Sequence, residues 1–73
     1  MSEKVIWKIQ YLNLCVNAFA KRFRLQPQVS YRYLSQYHAV SFLDENYEAE
    51  HIQPLEDTLD ALRNICRRNG GSL

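Results

Sequence analysis

Residues 4–23, KVIWKIQYLNLCVNAFAKRF, carry the decisive pattern. Val5, Ile9, Leu12, Val16, Phe19 and Phe23 recur at steps of four and three, which places them in one stripe along an α-helix. Ile6, Leu14, Cys15 and Ala20 widen the stripe, while Lys4, Lys8, Asn17, Lys21 and Arg24 supply polar positions. Trp7 and Tyr11, four apart, add a second apolar ridge. A helix apolar over so much of its girth needs more than one neighbour to cover it. The spacing therefore predicts a spine helix over about 4–24, with the rest of a small chain wrapped around it.

The punctuation downstream supplies the neighbours. Gln26-Pro27 ends the first pattern, because proline lacks an N–H and suits the first turn of a new helix. A second helix is expected over about 27–37, with Val29, Tyr33, Leu34 and Tyr37 inward and Tyr31 and Arg32 off that side. A third is expected over about 41–51, with Phe42, Leu43 and Tyr47 inward and Asp44, Glu45 and Glu48 outward. Gln53-Pro54 repeats the break, and a fourth follows over about 54–68 with Leu55, Leu59, Leu62 and Ile65 or Cys66 at helical steps. Glu56 and Asp57 in its first turn and Arg67 and Arg68 in its last suit the helix dipole. Asn69-Gly70-Gly71 offers the left-handed residue that commonly closes a helix, and residues 70–73 are expected to fray. The expectation is all-α: one domain over 1–73, a bundle of about four helices.

Composition agrees. Two glycines and two prolines in 73 residues are too few for a loop-rich or all-β design, and 47% apolar content is that of a globular chain. No apolar run reaches the ~18 residues of a membrane span. Lys8, Gln10 and Asn13 interrupt the first segment, so no signal peptide is expected there, and the expected location is cytoplasmic. A chain this short comes close to break-even on its own burial, so a homodimer through the first helix is one expected way of adding to it.

Net charge is +1, but the charges are segregated. Residues 1–40 set Lys4, Lys8, Lys21, Arg22, Arg24 and Arg32 against Glu3. Residues 41–60 hold Asp44, Glu45, Glu48, Glu50, Glu56, Asp57 and Asp60 with no Lys or Arg. Two readings follow: oppositely charged helices packing side by side, or an acidic face for a basic partner.

Catalytic chemistry is hard to find. No Gly-rich phosphate loop, nucleophile elbow or HExxH motif occurs. Cys15 and Cys66 are far apart and lack zinc-ligand spacing, so they read as reduced, buried thiols. Glu48 and His51 form a single Glu-x-x-His, whereas a di-iron site needs two plus further carboxylates. No cofactor, metal or enzymatic activity is expected. The expected surface for a protein partner is Tyr47, Glu48, Glu50, His51, Glu56 and Asp57, with Tyr47 as anchor. The alternative is a small nucleic-acid-binding regulator using the basic surface of residues 21–32 beside Tyr31, Tyr33 and Tyr37. Against it, the third helix, which would enter a groove in a helix-turn-helix, is acidic.

Between Tyr31 and Gly71 several short strings occur together: Tyr33-Leu34, Phe42-Leu43, Tyr47-Glu48-Ala49-Glu50-His51, Asp57, Asp60-Ala61-Leu62 and Cys66-Arg67-Arg68-Asn69-Gly70-Gly71. In these the chain resembles a family of short bacterial and phage-borne helical proteins classed as a domain of unknown function. Two departures lie at helix junctions: His38-Ala39 stands where a glycine is expected, and Gln53-Pro54-Leu55 where Leu-Ser is expected. The resemblance implies an intracellular, non-enzymatic bacterial protein. Genes of that family often sit beside one for a small protein resembling an ADP-ribosyltransferase, an arrangement suggestive of toxin and antitoxin.

Overall fold

The first helix, α1, runs Glu3–Phe23 and forms the spine. Its 21 residues at about 1.5 Å each span about 31 Å, nearly the whole 35 Å long axis of the molecule. The computed structural model describes residues 2–73. Around the spine lie α2 (Pro27–Gln36), α3 (Ala39–Glu45), α4 (Tyr47–Glu50) and α5 (Leu55–Arg68), and no strand occurs among the described residues. The all-α expectation holds.

The junctions show why the elements end where they do. Ser2 caps α1, its Oγ accepting from the Val5 N–H. Arg24 closes α1 in the left-handed region, φ 57°, with the Leu25 N–H donating to Ala20 O at 2.8 Å. Gly70, φ 102°, closes α5 in the same manner, with the Gly71 N–H on Cys66 O at 2.7 Å. His38, φ 70°, also takes the left-handed region at the start of α3. The position where a glycine was expected does require a glycine-like backbone, and a histidine supplies it.

The core joins Cys15, Val16 and Phe19 of α1 to Leu34, Ala39, Leu43, Leu59, Leu62 and Cys66. Phe19 stacks on Tyr33 with ring centroids 6.0 Å apart, and Tyr33 leans on Tyr37 at 4.9 Å. Three expectations need correction. The helix expected over 41–51 is two helices, α3 and α4, parted at Asn46. Asn46, at φ −117° and ψ 22°, leaves helical backbone there: its N–H still closes the last turn of α3 onto Phe42 O at 2.9 Å, and its side-chain amide donates to the same carbonyl at 3.0 Å.

Val29 is not inward but exposed, and Ser30 takes the inward place, fully buried. Its small size lets α2 approach α1, and its hydroxyl donates to Val16 O at 2.8 Å. The stripe of α1 is covered only from Leu12 onward, leaving Val5 43% and Ile9 45% exposed, since the neighbours enclose only the later turns.

The Leu73 N–H donates to the Tyr33 hydroxyl at 3.0 Å, the Leu73 side chain packs on the core, and Arg67 Nε donates to Leu73 O.

Candidate functional site

Part of the charge segregation is taken up inside the fold. Three bases on α1 reach three acids on the elements around it: Lys4 to Glu48 at 2.7 Å, Lys8 to Asp44 at 3.4 Å and Arg22 to Asp60 at 2.6 Å. The Lys4 hydrogen bond, reinforced by its charge, holds the Glu48 carboxyl below the usual carboxylate range, and Lys4 is raised in return. Both groups lie on the surface, where such pairs are screened and add little to stability.

The six residues expected to form one partner-binding strip are divided by the fold. Tyr47 is only 8% exposed. Its ring meets Tyr11 edge-on at 5.6 Å and stacks on His51 at 4.4 Å, so it anchors α4 to α1 instead of reaching outward. Glu50 is 5% exposed, its Oε2 accepting from Gln53 Nε2 at 2.7 Å. Its main-chain carbonyl accepts from the Tyr11 hydroxyl at 3.0 Å, with the Thr58 hydroxyl 3.4 Å away. His51 Nδ1 lies 2.7 Å from Tyr47 O, and because a carbonyl only accepts, that nitrogen carries a proton.

Glu56 and Asp57 remain exposed at the start of α5 and make no ion pair among the described residues. Beside them the sequence reading missed Ile52. In the turn between α4 and α5 it is 76% exposed, more than any other large hydrophobic residue described. Its signal was its position: an apolar residue directly before Gln53-Pro54, outside every helical stripe. Glu48, His51, Ile52, Glu56 and Asp57 therefore make up the α4–α5 corner.

Burial sets the state of the inward-facing thiols and of Tyr11. Burial pushes the thiols of Cys15 and Cys66 up to about 11 and the Tyr11 hydroxyl up to about 12. A thiol at that value is almost wholly protonated near neutrality and a poor nucleophile. Among the described residues no group of three or more His, Cys, Asp or Glu is placed to hold a metal ion. No helix among them is long and apolar enough to cross a membrane.

Two grooves flank α1. One, of about 270 Å³, lies against α3 and is lined by Ile9, Leu12, Val40 and Leu43, with Lys8 and Asp44 at its rim. The other, wider and more open, lies against α2 between Asn13, Asn17, Gln28, Tyr31, Arg32 and Ser35. The basic surface of residues 21–32 is not whole, because Arg22 is committed to Asp60. Of its three tyrosines only Tyr31 is exposed, Tyr33 and Tyr37 packing on the core.

The helical unit closed by Asn69-Gly70-Gly71, with the aromatic pair Tyr47 and His51 pinned to the spine, has a counterpart among known families. The model described as "Protein of unknown function (DUF3791)" matches residues 10–69. The chain belongs to this family. The DUF3791 span contains every residue of the buried core cluster and the whole α4–α5 corner, and leaves out residues 1–9 and 70–73. No curated protein and no solved structure matches the chain.

Proposed function

We propose that the chain is a non-enzymatic, cytoplasmic protein–protein interaction module whose recognition surface is the α4–α5 corner. The observation that carries the reading is Ile52, held 76% exposed in the turn that leads, four and five residues on, to the unpaired carboxylates of Glu56 and Asp57 in the first turn of α5. An apolar tip with acidic flanks suits a partner that offers an apolar pocket rimmed by Lys or Arg. Such a tip contributes affinity by desolvation, while the flanking charges steer encounter. The short helix α4 and the Tyr11–Tyr47–His51 ring cluster give the corner a fixed base.

The resemblance to bacterial proteins encoded beside an ADP-ribosyltransferase-like gene makes that neighbour's product the partner of choice, with this chain in an antitoxin-like role. The test is calorimetric titration of the purified chain into the neighbouring gene's product. Binding is expected, Ile52→Asp is expected to weaken it at least tenfold, and Glu56→Lys with Asp57→Lys to reduce its salt dependence. Absence of binding, or binding indifferent to Ile52→Asp, overturns the reading.

A further inference from the structure

We propose that the first three turns of α1, together with the groove they share with α3, form a two-fold seam with a second copy of this chain. The face is separate from the α4–α5 corner, and the proposal does not depend on it. Val5, Ile9 and Leu12 lie at steps of four and three on one side of α1. Leu12 packs on the core, whereas Val5 and Ile9 stay 43% and 45% exposed. Ile6, about a quarter-turn round, is exposed beside them. Val5, Ile6 and Ile9 lie outside the buried core cluster and the residues packed on it, so the fold does not use them for its own interior.

Three features select a second copy as occupant. The groove, of about 270 Å³ and lined by Ile9, Leu12, Val40 and Leu43, has room for one or two apolar side chains. Ile9 is at once a wall of that groove and an exposed knob beside it, so the same patch offers both projection and recess, which a two-fold contact requires. Charge points the same way. Lys4 is bonded to Glu48 and Lys8 to Asp44 within the chain. Two such faces meet without bringing unbalanced like charges together, and a strongly charged partner finds few free charges there to pair with.

An interface at the small end of the stable range buries about 1,200 Å² in all, about 600 Å² from each copy. That is roughly an eighth of the 4905 Å² surface, within reach of two antiparallel α1 ends and their α3 rims. The dimer is therefore expected to be weak and concentration-dependent. Trp7, exposed but on the far side of α1, lies outside the seam and serves as the control for general stickiness.

Sedimentation velocity from low micromolar to near-millimolar concentration reads the equilibrium directly. The weight-average mass is expected to climb from 8.7 kDa toward twice that value. Ile9→Glu and Val5→Glu are each expected to weaken association at least tenfold with unchanged helical circular dichroism, and Trp7→Glu to leave it intact. Should Ile9→Glu perturb folding, Val5→Glu in the first helical turn still reads the seam. A mass of one chain throughout, association indifferent to both seam variants, or equal loss in Trp7→Glu overturns the proposal.

Discussion

The Ser30 hydroxyl donates to the Val16 carbonyl at 2.8 Å inside the α1–α2 joint, with Ser30 fully sealed from water. A side chain one bond longer would force the two helices apart, and a side chain without the hydroxyl would forgo the bond. Ser30→Ala is expected to cost about 1 kcal/mol, the usual net value of one internal hydrogen bond. Ser30→Leu is expected to cost about 1–3 kcal/mol or more through overpacking. Urea unfolding checks both, the midpoint falling at constant slope, with the leucine variant the lower.

Histidine at position 38 bears a backbone conformation that an L-residue adopts at a cost of roughly 1–2 kcal/mol, part of which glycine gives back in chain entropy. His38→Gly is therefore expected to stabilise the chain by about 0.5–1 kcal/mol, and Arg24→Gly by a similar amount. For a domain of this size a gain of 1 kcal/mol raises Tm by about 4–8 °C, which a thermal melt resolves. A fall in Tm for both variants would refute the left-handed assignment.

Gly71 sits where a Cβ would come within 2.3 Å of the Tyr33 hydroxyl oxygen and 2.9 Å of Cys66 O. Gly71→Ala is expected to destabilise by about 1–3 kcal/mol and to free the Leu73 amide, speeding its hydrogen exchange. Tyr33→Phe removes the acceptor of that amide without adding bulk. It should speed the same exchange while costing less stability, and the contrast separates crowding from hydrogen bonding.

Burial raises Tyr11 to about 12 and both thiols to about 11, against ordinary values of 10.0 and 9.0. These groups are neutral when protonated, so a raised native value means that the folded chain holds its protons more tightly than the unfolded chain. The stability they contribute is fully present below the unfolded values and is lost as pH rises through 9 toward 12. Unfolding free energy is expected to fall over that alkaline window, and Tyr11→Phe to flatten its upper part. The thiols should react with Ellman's reagent only after denaturation.

Helical periodicity made much of the fold legible. Leu12, Val16, Phe19, Leu34, Leu43, Leu59, Leu62 and Cys66 turn inward as their spacing required, and Gly70 closes α5 as the Asn-Gly-Gly string indicated. The expected recognition strip fared differently. Tyr47 and Glu50 lie inside because the backbone leaves the helix at Asn46 and turns α4 onto Tyr11, and nothing in the spacing of acids announces that turn.

What the residues alone determined is local: which segments are helical, which side of each is apolar, and where glycine or proline ends them. These follow from backbone sterics and a repeat of about 3.6 residues, and both act within a few positions of the chain. Which stretch of the apolar stripe is covered, which acid meets which base and which isoleucine remains in water were decided only by the assembled fold. Those outcomes depend on where a finite set of neighbours comes to rest along α1, and contacts between residues some forty positions apart leave no mark in the local pattern.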